Sequence, residues 1–407
     1  MKSKVILLVC DGLGDRPIPA LDFKTPLEAA RTPNLDYVAG KGVCGLMYSL
    51  GPGLRPGSDT SHLNILGYDY HKYYSGRGPI EVAGLGMELK EGDVALRGNL
   101  GTVDENLIIV DRRAGRILDV SEFVKALDNL KIEGVKFLVK PGTAHRAGII
   151  MRGEGLSNKI TDADPHETGE KVHTVEPRDD SQEAKRTAEV LNKFLQECHQ
   201  ILLQHPENHR RRKEKKLPAN YLLVRGAGFY RSVPPFSERF GLRACCIAGG
   251  GLYKGVGAYL GMEVPKIAGA TALPNTNIGN KFDTVKNRLD EFDFFFVHIK
   301  AADSLGEDGN YVGKKEFIER IDQSLERLLS LEHILLVVTA DHSTPCSLKR
   351  HSADPVPICF YGLDVRTDNV TEFGERACAS GGLGRMVGLG IMPEIINILG
   401  LSDLVGA

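Results

Sequence analysis

Three aspartates each sit just past a short apolar run, and the runs are far apart in the chain. Val5-Ile6-Leu7-Leu8-Val9 leads to Asp11, Phe294-Phe295-Phe296-Val297-His298-Ile299 leads to Asp303, and Ile334-Leu335-Leu336-Val337-Val338 leads to Asp341-His342. Short runs of apolar, β-branched and aromatic residues read as fully buried strands of a parallel sheet. In open α/β sheets, ligands bind beyond the carboxyl ends of the strands. The three carboxylates are therefore expected to meet at one edge. Carboxylates brought that close repel one another unless a cation lies between them. A metal site answers this, with His342 and His351 available as nitrogen ligands.

A candidate nucleophile lies in Gly57-Ser58-Asp59-Thr60-Ser61-His62-Leu63-Asn64-Ile65-Leu66-Gly67. Pro56 and the glycines make a turn, and a helix is expected to start after it. A hydroxyl at that point faces free backbone N–H groups and the positive end of the helix dipole, which suits a phosphate. Serine is a weak nucleophile until a base or a metal activates it. The same residues also read as a plain helix cap, since Ser, Asp and Thr are preferred there. Thr60 and Ser61 compete with Ser58 as the reactive hydroxyl. His62 either supports the nucleophile or belongs to the helix face.

The elements that must position these groups form an interrupted pattern. The chain has 407 residues, enough for two or three domain-sized units. The beginning follows an α/β texture, and Thr32-Pro33-Asn34 opens a helical stretch that ends at Gly40. From about residue 76 to 237 the texture changes to short alternating runs such as Leu107–Val110 and Lys136–Lys140. A long polar helix is expected over Ser181 to Gln204, with Ala184, Ala188, Leu191, Phe194, Leu195 and Leu202 at helical spacing. The basic run His209 to Lys216 follows and reads as a solvated loop or helix end; a nucleic-acid patch is the poorer reading on a net charge of −2. After about 238 the alternation of buried strands and helices resumes. Asp11 lies before the interruption, and Asp303 and Asp341 lie after it. A discontinuous catalytic domain, 1–75 with 238–407, and an inserted domain, 76–237, are expected. No apolar run is long enough to span a bilayer. The opening MKSKVILLVCDG enters a strand at once and does not read as a signal peptide. The eight cysteines have no C-x-x-C spacing and read as reduced, mostly buried thiols, which favours a cytoplasmic protein.

A colinear set of motifs runs through nearly the whole chain: DGLGDRP from Asp11, TPNLD from Thr32, GSDTSHLNILGYD from Gly57, GRGPIE from Gly76, DRRAGRI from Asp111, AHRAGII from Ala144, ADPHETG from Ala163, NYLLVRGAG from Asn220, HIKAADSLGEDGN from His298, TADHSTPC from Thr339, HSADPVPI from His351 and GGLGR from Gly381. This set resembles the archaeal-type cofactor-independent phosphoglycerate mutases of the alkaline phosphatase superfamily. TADHSTP alone would mark the superfamily; the ordered set is specific to the mutase branch. The resemblance implies an α/β, alkaline-phosphatase-like sandwich with a mostly parallel central sheet flanked by helices, plus an inserted smaller α/β domain.

It also implies two divalent metal ions, manganese first, with magnesium, cobalt or zinc as alternatives, and no 2,3-bisphosphoglycerate. Carried onto this chain, one metal falls to Asp11, Ser58, Asp341 and His342. The second falls to Asp303, His351 and the residue at 307, where the family pattern has histidine and this chain has Glu307. Asp308 is the alternative ligand. An added carboxylate makes the site harder and favours manganese or magnesium over zinc. Ser58 would attack the phosphoryl group of 3-phosphoglycerate and return it to the other hydroxyl of a retained glycerate. Carboxylate and phosphate call for bidentate arginines: Arg112, Arg113, Arg116, Arg146 and Arg225 are the candidates. His145 and His166 would move protons, and Lys254 would stand near the leaving oxygen. Each has a bland alternative as a solvated turn, strand-end or helix-surface residue. The expected partner is a small phosphoglycerate, with neither nucleic acid nor membrane. A metal-dependent phosphatase or phosphonate hydrolase, or a non-catalytic relative, are the competing readings.

Overall fold

The computed structural model describes residues 3–362 and 364–406. Two compact units emerge. One comprises the described residues up to Tyr74 with those from Pro234 onward, and the other spans Ser75–Val233. In chain order the first unit supplies β1 (Lys4–Cys10) and β2 (Val43–Tyr48). The second supplies β3 (Val94–Val103), β4 (Ile109–Asp111), β5 (Lys131–Ile132), β6 (Val135–Pro141), β7 (Arg146–Arg152) and β8 (Tyr221–Phe229). The chain then returns to the first with β9 (Ala244–Ile247), β10 (Phe294–Ile299), β11 (Ile334–Thr339), β12 (Val356–Tyr361) and β13 (Gly384–Val387).

The first unit is built on a sheet ordered β13-β2-β12-β11-β1-β10-β9, in which only β12 runs against its neighbours. The expected apolar runs are its central strands. β1 pairs in parallel with β10 and β11, with Cys10 opposite Ile299 and Val9 opposite Thr339. Every residue of β10 and β11 is buried, as strands covered on both faces require. This register brings the chain segments after β1, β10 and β11 out side by side at one sheet edge.

A buried lysine ties these segments together. Lys314, on the helix Tyr311–Leu329, is fully buried and donates to Gly14 O at 3.1 Å, Thr344 O at 3.0 Å and Asp15 Oδ2 at 2.8 Å. All three ammonium protons are thus satisfied, which a buried charge demands. Packing is close enough here to need glycine. A Cβ on Gly12 would stand 2.5 Å from Asp303 Cα, and one on Gly306 would stand 2.4 Å from Thr344 O.

The second unit carries an antiparallel sheet ordered β4-β3-β7-β6-β5, with β8 also pairing β3. One face is covered by the long helix Gln182–Gln204, capped by Ser181, whose Phe194 stacks on Phe137 at 3.8 Å. On the opposite face the helix Arg77–Gly84 covers only part of the sheet, through Val82 against Ala95 and Ile150. Side chains two residues apart along a strand share a face, so Arg97 and Asn99 lie on the side of Ala95. Their register partners, Arg225 for Arg97 and Arg146 for Asn99, share it. The basic run forms the end of a helix, Pro206–Lys213, but Arg211 within it is buried rather than solvated. All eight cysteines are buried and unpaired. No described helix is long and apolar enough to cross a membrane.

Candidate active site

Beyond the ends of β1, β10 and β11, two groups of potential metal ligands form: Asp11 with Asp341 and His342, and Asp303 with His342 and His351. Asp11, Asp303, Asp341 and His342 are essentially inaccessible to solvent. His342 Nε2 stands 3.6 Å from Asp11 Oδ1, 3.1 Å from Asp341 Oδ2 and 3.4 Å from Ser58 Oγ. His351 Nε2 is 3.5 Å from Asp303 Oδ1, and the two imidazoles stack at 3.6 Å.

The surroundings orient these ligands. Thr344 Oγ1 donates to Asp303 Oδ1 at 2.7 Å and meets His342 Nδ1 at 3.0 Å, so its hydroxyl serves both groups. His351 Nδ1 is turned to Pro56 O at 2.9 Å. With both Nδ1 atoms engaged as donors, both Nε2 atoms are free to ligate, the usual arrangement around a bound metal. His298 Nε2 lies 3.0 Å from Asp11 Oδ2, and its ring stacks on Tyr253 at 3.4 Å.

The electrostatics are those of a cage built for a cation. Burial and the Asp341 carboxylate push Asp11 up to about 6. Burial opposes the charge of His342 as well, yet Asp341 beside it outweighs burial and raises the imidazole to about 9. Despite burial, His342 holds Asp341 below the usual carboxylate range, and His351 and Lys300 do the same for Asp303. Asp11 Oδ1 and Asp341 Oδ2 are buried without a hydrogen bond. Such atoms are costly when left unpaired, and a divalent cation would satisfy both. The donor set of carboxylates, imidazoles and one hydroxyl therefore fits the metals that the sequence implies.

Ser58 is the first residue of the helix Ser58–Ile65, as expected, but Gly57 occupies the cap position and no side-chain capping bond forms there. The neighbouring hydroxyls are already committed: Thr60 Oγ1 donates to Gly57 O at 3.1 Å and Ser61 Oγ to Gly57 O at 2.9 Å. Ser58 Oγ alone of the three faces His342. His62, fully buried, contacts Ser58 O at 2.5 Å and Asp341 Oδ2 at 3.6 Å, and so backs both the helix start and a ligand.

Residues 303–307 lie in a helix, Ala301–Glu307. Four-residue helical spacing puts Asp303 and Glu307 on one face and brings Glu307 Oε1 to 4.0 Å from His351 Nε2. Burial and Asp303 raise the Glu307 carboxyl. Lys254, on the helix Gly251–Tyr259, makes no side-chain hydrogen bond or ion pair among the described residues; its charge is felt at Cys246 and Lys281. The lysine among the ligands is Lys300, whose Nζ lies 2.6 Å from Asp303 Oδ2 and 3.6 Å from Asp11 Oδ2. His298 and Lys300 both sit in the HIK motif that ends β10, the signal by which they could have been singled out.

In the second unit, the partly uncovered sheet face gathers arginines. Arg112 grips Asp164 through two hydrogen bonds, at 3.1 and 2.7 Å, and Arg225 Nη1 meets His166 Nδ1 at 2.6 Å. Burial, then Arg146, Arg113 and Arg97, drive His145 down to about 4. Arg97, passed over in the sequence, is lowered by burial to about 10 against the pull of Glu81, with Arg225, Arg77 and Arg146 adding to the effect. Asn99 Oδ1 and Arg225 Nε are buried without hydrogen bonds. Crowded guanidinium groups with unpaired polar atoms among them suit a multiply charged anion. The alternation Arg97-x-Asn99 on a strand was the available signal. Arg116 does not join this group: it is exposed, in left-handed backbone, with no hydrogen bond or ion pair among the described residues.

Comparison with known proteins follows the same line. The family profile described as 2,3-bisphosphoglycerate-independent phosphoglycerate mutase matches residues 39–208. The chain is 46% identical to 2,3-bisphosphoglycerate-independent phosphoglycerate mutase 1 of Methanocaldococcus jannaschii, over all of both chains. It is 48% identical to the protein of the same name from Archaeoglobus fulgidus, over 99% of this chain and 100% of that one. The solved cofactor-independent phosphoglycerate mutase of Thermoplasma acidophilum superposes with a TM-score of 0.74 at 38% identity, covering 98% of this chain and 100% of that one. With identity of this order sustained from end to end, the chain belongs to the 2,3-bisphosphoglycerate-independent phosphoglycerate mutase family.

Proposed function

We propose that this protein is an isomerase that interconverts 3-phosphoglycerate and 2-phosphoglycerate without 2,3-bisphosphoglycerate. The observation that carries the reading is full-length identity to mutases of that name, supported by two close groups of potential ligands, Asp11 with Asp341 and His342, and Asp303 with His342 and His351. Asp11, Ser58, Asp341 and His342 would hold one divalent ion, manganese first, and Asp303, His351 and Glu307 a second. When bound, such ions supply Lewis-acid stabilisation of charge on phosphoryl oxygens.

The protein's own groups do the rest. Ser58 Oγ, ionised and facing His342 at the start of its helix, attacks phosphorus and displaces the glycerate oxygen, giving a phosphoserine; the other glycerate hydroxyl then attacks that phosphorus and releases Ser58 in its ionised form. The Lys300 ammonium adds a fixed positive charge beside Asp303 and Asp11, and Lys254 would stand near the leaving oxygen. Arg97, Arg112, Arg113, Arg146 and Arg225 bind the carboxylate and phosphate charges. His145, held neutral at pH 7 by burial and by Arg146 and Arg113, can accept a proton from the glycerate hydroxyl that receives the phosphoryl group. The other glycerate oxygen takes up a proton when its phosphoryl group leaves, so one proton is released and one consumed per turnover, and His166, beside Arg225, is the second proton-transfer group proposed.

An enolase-coupled assay on 3-phosphoglycerate tests the reading. Metal-stripped protein restored with manganese should form 2-phosphoglycerate and release little free phosphate. Stoichiometric phosphate release with no 2-phosphoglycerate would make the protein a phosphatase instead.

A further inference from the structure

The basic run at 209–216 takes no part in the reading above, yet one of its residues is unlike the rest. Arg210 is exposed and paired with Glu207 at 2.7 Å, and Arg212 is exposed and reaches Leu203 O only at 3.4 Å. Arg211 is 8% exposed. Its Nη2 donates to Ala114 O at 2.7 Å and its Nε to Leu217 O at 2.9 Å.

Ala114 lies in a demanding stretch of backbone. Ala114, Gly115 and Arg116 are left-handed in succession, with φ of 46°, 66° and 57°. Residues with a Cβ resist this conformation, so it persists only where the surroundings hold it. On the near side, Arg112 is fixed by its two bonds to Asp164, and Arg113 N donates to Asp111 Oδ1 at 2.7 Å. On the far side the hold on Ala114 O comes from Arg211. Arg113 stands between the two anchors.

We infer that Arg211 is a positioning residue: by clamping the Ala114 and Leu217 carbonyls it holds the strained loop that aims Arg113 at the substrate anion. This rests on the reading of Arg113 as a substrate-binding group. A guanidinium offers several donors in a rigid fork, so one side chain can hold two separate carbonyls; a lysine ammonium in the same place cannot match that geometry.

The test compares the Arg211→Met, Arg211→Lys, Arg210→Met, Arg212→Met and Arg113→Ala variants of the full chain, loaded with manganese. Steady-state kinetics on 3-phosphoglycerate and amide hydrogen exchange over residues 113–117 are measured. Arg211→Met should raise KM about tenfold with kcat little changed, the signature of lost uniform binding. Exchange at 113–117 should quicken in the same variant. Arg211→Lys should restore part of both, and it serves alone if the methionine variant fails to fold. Arg210→Met and Arg212→Met should match the parent. A raised KM in Arg113→Ala with parental KM in both Arg211 variants overturns the inference. So does an equal rise in Arg210→Met, which would reduce the effect to general charge. A parental KM in Arg113→Ala removes the underlying reading of Arg113, and the inference with it.

Discussion

Replacing Thr344 with valine should weaken metal binding without unfolding the protein. The substitution keeps the branched shape of a fully buried side chain and exchanges a hydroxyl for a methyl. Two interactions go: the 2.7 Å bond donated to Asp303 Oδ1 and the 3.0 Å contact with His342 Nδ1. A hydrogen bond to a charged group contributes about 1.5–3 kcal/mol, and stranding a buried donor such as the His342 Nδ1–H costs about 1–3 kcal/mol. Both losses fall on the arrangement that metal binding requires, with Asp303 and the His342 ring held in place. Loss of a partner that orients metal ligands typically lowers affinity about 10–100-fold, or about 1.4–2.8 kcal/mol at 1.4 kcal/mol per tenfold, which the combined loss is large enough to supply. The assay is calorimetric titration of manganese into metal-stripped protein. Thr344→Ser, which keeps the hydroxyl, should bind manganese like the parent. If Thr344→Val also binds within twofold of the parent, the hydroxyl does not orient the ligands and the reasoning is refuted.

Further expectations concern single groups. Ser58→Ala should eliminate mutase turnover and any acid-stable phosphoprotein, while changing stability by no more than about 0.5–1 kcal/mol, since Gly57 holds the cap position; retained turnover would place the nucleophile elsewhere. Glu307→His should shift metal preference from manganese and magnesium toward zinc or cobalt, since nitrogen ligands suit softer ions; unchanged relative affinities in competition titrations would put Glu307 outside the metal's ligands. His145 should titrate near pH 4, against an ordinary value of 6.5. A histidine depressed in the folded state contributes stability that is full above pH 6.5 and lost as pH falls toward 4. His145→Gln should therefore flatten part of the decline in melting temperature over that window, and an NMR titration placing His145 near 6.5 would contradict the crowding by Arg146 and Arg113.

Much of this molecule is written in short stretches of the chain. The apolar runs before Asp11, Asp303 and Asp341 are the strands β1, β10 and β11, because unbroken burial of β-branched and aromatic residues is a local property that needs no knowledge of partners. The helices Pro33–Gly40 and Gln182–Gln204 were legible for the same reason, from Pro33 and Ser181 at their starts and from helical spacing within. The placement of the carboxylates beyond strand ends was enough to expect a metal cage. Other choices depend on which residues meet across long stretches of chain. Ser58 stands out from Thr60 and Ser61 only because the latter two bond to Gly57 O, while Ser58 meets His342 from the far end of the chain. Lys300 joins the ligands because β10 lies beside β1 in parallel register and delivers its end next to Asp11. Arg97 and Arg225 become neighbours through strand pairing, and Arg211 differs from Arg210 and Arg212 only in the direction its helix turns it. Composition and periodicity record how one segment meets water; they carry no register between segments, and register is what brings these side chains within bonding distance.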